Sequence, residues 1–82
     1  MTPWLDDGDV RLYHGDVLEV LRQLEPGSVQ TCVTSPPYWG LRDYGEPEQF
    51  GLEPTPELYV EHMVEVFREV RRVLRDDGTL WM

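Results

Sequence analysis

Apolar and polar positions change their spacing several times along the chain. Val10 to His14 alternates and carries β-branched and aromatic residues, which predicts a short strand. Gly15-Asp16 makes the turn out of it. Asp16 is placed to cap a helix over Val17 to Leu24, where Val17, Leu18, Val20, Leu21 and Leu24 recur at helical spacing. Glu25-Pro26-Gly27-Ser28 ends that helix. Val29 to Thr34 reads as a second strand, and its β-branched content with sparse charge predicts a central, buried position.

From Ser35 to Pro54 no period is visible. The stretch holds Pro36, Pro37, Pro47 and Pro54, together with Tyr38, Trp39, Tyr44 and Phe50. A connection of this length inside a small domain is usually functional or disordered, and the aromatics predict one that packs on something. Thr55-Pro56-Glu57 then opens a helix with a capping threonine, a proline at the first helical position and an acid in the first turn. Tyr59, Met63, Val66, Phe67, Val70, Val73 and Leu74 form one apolar stripe, so the helix is expected to reach about Arg75. Asp76-Asp77-Gly78 reads as a turn, and Thr79 to Met82 as the start of a third strand. Met1 to Asp9 reads as an irregular start.

The predicted order is strand, helix, strand, long loop, helix, strand. Strands that alternate with helices predict an α/β fold with parallel β-α-β units and right-handed crossovers. A strand that begins at Thr79 and is not followed further predicts the front part of a longer protein.

Composition narrows the class. The chain has 82 residues, enough for one small domain, with 40% hydrophobic and 28% charged residues, a globular balance. Its single cysteine, Cys32, allows no intrachain disulfide and fits a reducing, cytoplasmic setting. No apolar run approaches membrane-spanning length, so no membrane partner is expected. The net charge is -9, from 16 acids against 7 bases, and all seven bases are arginine. Such a surface repels phosphate, and a nucleic-acid role needs basic surface from elsewhere. Four of those arginines lie between residues 68 and 75, near the negative end of the second helix, where a structural role accounts for them.

In open parallel sheets, ligands bind beyond the carboxyl ends of the strands. Gly15-Asp16 and Ser35-Pro36-Pro37-Tyr38 both fall there. Ser35-Pro36-Pro37-Tyr38 resembles the catalytic motif of the amino-group DNA methyltransferases, in which Asp, Asn or Ser precedes Pro-Pro and an aromatic residue. The wider "TSPPYWGLRDYG", the upstream "HGDVLEVL" and the downstream "YVEHMVEVFREVRRVLRDDGTLW" resemble the opening of the type in which this motif precedes target recognition and the glycine-rich cofactor motif. The resemblance covers roughly residues 10 to 82. It implies a partial Rossmann-like methyltransferase fold, with residues 1–82 as the amino-terminal portion of a catalytic domain. It further implies S-adenosyl-L-methionine as methyl donor and double-stranded DNA with a flipped target base as substrate. A restriction endonuclease is an implied companion of the full-length enzyme.

The chemistry asked of those residues follows from the amino group itself. An exocyclic nitrogen of cytosine or adenine is a poor nucleophile, because its lone pair is delocalised into the ring. Acceptors for both amino hydrogens favour a pyramidal nitrogen and stabilise the positive charge that develops on it. Ser35 offers a hydroxyl and Pro36 its carbonyl. Pro36 and Pro37 have a fixed φ and no N–H, which stiffens the chain that carries those oxygens. Tyr38 offers a face for the target base, which must leave the duplex first. Trp39 and Arg42, with Tyr44, are further candidates to contact DNA, each equally suited to packing the loop. By the resemblance, Asp16 lines the methyl-donor pocket and accepts from its adenine amino group; plain helix capping is its alternative, and both roles are compatible.

Serine at the first motif position favours cytosine N4 as target, with adenine N6 the alternative. A protein or RNA amino group is a second enzymatic alternative, but no glycine-rich stretch precedes Ser35 as it does in such enzymes. A non-enzymatic alternative makes Pro36-Pro37-Tyr38 a docking segment for a proline-recognising module. Cys32 is followed by Val33 rather than proline, so it reads as a buried strand residue, not the nucleophile of the cytosine-C5 enzymes. His14 and His62 have no cysteine or acid at metal-ligand spacing, and no metal site is expected. No Gly-x-Gly occurs and no target-recognition segment is present, so these 82 residues alone are expected to transfer no methyl group.

Overall fold

The computed structural model describes residues 2–36 and 52–82. Its first element lies inside the segment expected to be irregular. Strand β1, Leu5–Asp6, pairs antiparallel with β2, Arg11–Leu12, with Leu5 opposite Leu12 and Asp6 opposite Arg11. Two aspartates of the segment read as irregular close the hairpin turn. Asp6 accepts from the Gly8 amide at 2.9 Å, and Asp7 accepts from the amides of Asp9 and Val10 at 3.1 and 2.7 Å. Short acidic side chains of this kind stand in for backbone acceptors in turns. Gly8 takes φ 96°, a conformation that disfavours any side chain. The expected strand over Val10 to His14 is accordingly cut to two exposed residues, and its partner is the hairpin rather than a parallel neighbour.

Helix α1, Val17–Arg22, starts where its cap predicts, and Asp16 accepts from the Glu19 amide at 3.2 Å. It ends two residues short of the expected Leu24. Strand β3, Val29–Val33, follows, and helix α2, Pro56–Val73, starts on the expected Thr55-Pro56 signal. The Thr55 hydroxyl accepts from the Leu58 amide at 3.2 Å. Helix α2 stops at Val73, before the expected Arg75, because Leu74 turns extended and pairs with Val29.

Strand β4, Leu74–Trp81, lies parallel to β3, so the expected parallel strand–helix–strand unit holds for this pair. The expected Asp76-Asp77-Gly78 turn is absorbed into β4 as an irregularity between Val29 and Thr31 of the partner strand. Gly78 is required there, since a Cβ would sit 2.9 Å from the Arg75 carbonyl oxygen and 3.0 Å from that of Gln30. The threonines at the next register position, Thr31 and Thr79, bring their hydroxyls within 3.3 Å.

The core is small. Among the described residues, Leu18 of α1 and Val70 and Val73 of α2 are the buried apolar side chains. The two helices pack on each other, and one arginine sets their contact. Arg72 donates to the carbonyls of Leu21 and Leu24 at 2.8 and 3.1 Å, and its Nε to Glu69. The Arg72 carbonyl in turn accepts from the Gly27 amide at 3.0 Å. Carbonyls at the end of a short helix thus meet a cation from α2, which adds to the Leu24 amide already held by the Leu21 carbonyl.

The buried central position expected for β3 is not what these residues provide. Its one neighbour among them is β4, and Val33 is 79% exposed beside Trp81 at 63%. Apolar, β-branched composition records that a strand suits burial; burial itself needs layers on both faces. The described residues show a mixed α/β arrangement, with one antiparallel and one parallel strand pair.

Candidate active site

The carboxyl end of β3 carries the first half of the proline motif. The strand ladder continues one residue past Val33, because the Thr34 amide donates to the Trp81 carbonyl at 3.0 Å. Ser35 is the next residue and is exposed; Pro36 is half-buried. Both border a cavity of about 300 Å³ whose other walls come from Cys32, Leu21 of α1 and Met63, Phe67 and Val70 of α2. The hydroxyl of Ser35 and the carbonyl of Pro36 are therefore mounted at a strand end that is tied laterally to β4. Pro37, Tyr38, Trp39 and Arg42, with Tyr44, lie outside the described residues.

Asp16 occupies the other predicted position, at the turn into α1. It is half-buried, and its Oδ2 caps the helix through the Glu19 amide. The capping alternative is thus realised. Its Oδ1 accepts no hydrogen bond among the described residues, which leaves one carboxylate oxygen suited to an amino donor such as an adenine amine.

Cys32 lies in a strand as expected and has a free thiol, but it is half-buried rather than buried. His14 is exposed and borders a shallow surface hollow with Trp4, Leu12 and Tyr13. No group of three or more His, Cys, Asp or Glu among the described residues is arranged to hold a metal ion. No helix among them is long and apolar enough to cross a membrane. In the arginine cluster, Arg72 binds the end of α1 and Arg75 pairs with Asp77 at 3.1 Å, which is the structural role expected for both.

One pair was not visible in the sequence. Glu53 is buried, and its Oε2 lies 3.3 Å from Nδ1 of His62. The nine-residue separation matches no helix or metal spacing, and only the approach of the chain to α2 brings the two together.

The comparisons decide the family. The family model for DNA methylases, of the N6/N4 amino-group type, matches residues 29–82, from the start of β3 to the last residue. The chain belongs to the amino-group DNA methyltransferase family. It is similar to the Type II methyltransferase M.XycI of Xanthomonas campestris pv. cyanopsidis, 61% identical over 71 residues, which are 87% of this chain and 24% of the relative. It is 58% identical to the Type II methyltransferase M.Cfr9I of Citrobacter freundii over the same shares of both proteins. With M.SfiI of Streptomyces fimbriatus the identity is 53% over 90% of this chain and 18% of the relative. The chain thus spans about a quarter of the length of the first two relatives, with 24% of each covered. No solved structure matches it.

Proposed function

We propose that this chain is the amino-terminal portion of the catalytic domain of a site-specific DNA methyltransferase that modifies the exocyclic N4 of cytosine. The observation that carries the reading is the position of Ser35 and Pro36. They follow the last ladder bond of a parallel strand, where ligands of such sheets bind, within a family whose members act on DNA amino groups.

In this reading the Ser35 hydroxyl and the Pro36 carbonyl accept the two amino hydrogens of a flipped cytosine. That directs the nitrogen lone pair outward and stabilises its growing positive charge. The ladder bond from Thr34 to Trp81 keeps the acceptors from drifting, and positioning supplies much of the rate. The methyl donor, S-adenosyl-L-methionine, supplies an electrophilic methyl group when bound. Asp16 would hold its adenine amine through the oxygen that does not cap α1. Tyr38 would stack on the target base, and Trp39 and Arg42 would contact the DNA around it. The phosphate backbone would be met by basic surface outside these residues, given the net charge of -9.

The experiment is methylation of duplex DNA by the enzyme that carries this segment, with labelled methyl donor, followed by digestion to nucleosides. Recovery of label as N4-methylcytosine is the expected result. Label in N6-methyladenine would reassign the target base, and label in neither would overturn the reading.

A further inference from the structure

We propose that Glu53 and His62 form a positioning pair that fixes the chain entering α2 against the turn of that helix beside Met63, a wall of the cavity that Ser35 borders. What is positioned rests on the methyl-transfer reading above; the pair itself rests on geometry. The Glu53 side chain is only 3% exposed and that of His62 34%, and their nearest polar atoms are 3.3 Å apart. A buried carboxylate carries a desolvation cost that apolar side chains of similar size avoid. What the polar pair adds over apolar packing is direction, since a hydrogen bond holds one register where a greasy contact tolerates several.

The location gives that register a use. Glu53 stands two residues before the Thr55 cap, between Leu52 and Pro54, and Pro54 and Pro56 stiffen the link to the helix. His62 directly precedes Met63, and Met63 lines the same cavity as Ser35 and Pro36. The pair therefore joins the residues just before α2 to the neighbour of Met63, which shares a cavity with Ser35 and Pro36. The connection begins at an acceptor pair whose placement the chemistry requires, and its far end is held by a specific contact instead of by apolar packing alone. Glu53 and His62 touch no reacting group in this scheme; they act through Met63 and the Thr55 cap.

The test has a structural and a kinetic arm. In the 82-residue chain, hydrogen exchange is followed at the Leu58 and Tyr59 amides, which Thr55 holds through its hydroxyl and carbonyl at 3.2 Å each. Glu53→Ala and His62→Phe should each speed exchange there by roughly tenfold. The exchanged pair, Glu53→His with His62→Glu, should restore most of the protection. If Glu53→Ala fails to fold, His62→Gln, at the more exposed position, carries the same comparison. Unchanged exchange in the single variants, or no restoration in the exchanged pair, would overturn the pair. In the enzyme that carries this segment, His62→Phe should lower kcat roughly tenfold with KM for the methyl donor unchanged. Faster exchange with unchanged kcat would reduce the pair to a structural clasp and overturn its positioning role. Absence of methyl transfer by the unmodified enzyme would sink the functional reading, while the exchange arm would still decide the pair.

Discussion

The amide of Thr34 donates to the carbonyl of Trp81, one residue beyond the last residue of β3. That bond makes the position of Ser35 depend on β4, a strand formed some forty-five residues later in the chain. The candidate acceptors are therefore held by tertiary pairing and not only by the stiffness of two prolines.

Replacement of Ser35 tests the acceptor role most directly. Ser35→Ala should leave folding intact, because the residue is exposed, and should lower kcat of the methyl-transferring enzyme by roughly a hundredfold. Single-turnover assays with labelled donor measure this. Unaltered turnover would remove Ser35 from the chemistry.

Asp16 is expected to do two things, and two substitutions separate them. Asp16→Ala should cost about 1 kcal/mol of stability in urea unfolding through loss of the α1 cap. Asp16→Ser keeps a capping oxygen and should be close to neutral for stability, yet weaken methyl-donor binding roughly tenfold in equilibrium dialysis. Undiminished donor binding by Asp16→Ser would leave capping as the residue's whole role.

Arg72 joins the helices through two backbone carbonyls, so its loss should exceed that of a surface charge. Arg72→Met is expected to destabilise by about 1–3 kcal/mol, because the Leu24 carbonyl loses its Arg72 donor and the Leu21 carbonyl is left with the Leu24 amide. Arg71→Met, on an exposed neighbour, should fall within about 0.5 kcal/mol of the parent. Paired urea titrations give the contrast, and equal effects would contradict the assigned contact.

Gly78→Ala should destabilise by about 1–3 kcal/mol, since the added carbon meets backbone oxygens of Arg75 and Gln30 that cannot swing aside. Thermal unfolding followed by circular dichroism reads the shift. A neutral result would mean that the irregular stretch of β4 relaxes freely.

The 82-residue chain alone should bind duplex DNA poorly at physiological salt, given its net charge of -9. Fluorescence anisotropy with a labelled duplex measures it. Tight, salt-sensitive binding would show a basic surface that composition does not suggest.

Local signals were the legible ones. The caps Asp16 and Thr55 stand where the sequence puts them, because each is decided by a side chain within three residues of the amide it meets. The proline motif and its place after a strand were legible for the same reason. Helix ends were less so: α2 ends at Val73 because Val29 competes for Leu74, and periodicity carries no record of that competitor. The hairpin of Leu5–Asp6 with Arg11–Leu12 was hidden by aspartates that look like a disordered start until their side chains are seen closing the turn.

Neighbouring residues alone, then, carried the strand–helix–strand order around α2, the capped helix starts, the acidic balance and the Ser35-Pro36-Pro37-Tyr38 stretch that resembles a family motif. Tertiary structure alone decided which strands pair, that Arg72 closes α1 onto α2, and that Glu53 meets His62. The division has one physical cause. Hydrogen bonds between near neighbours and apolar periodicity are written in adjacent residues. Contacts between distant residues exist only once burial has brought two elements together, and no short stretch of sequence encodes that meeting.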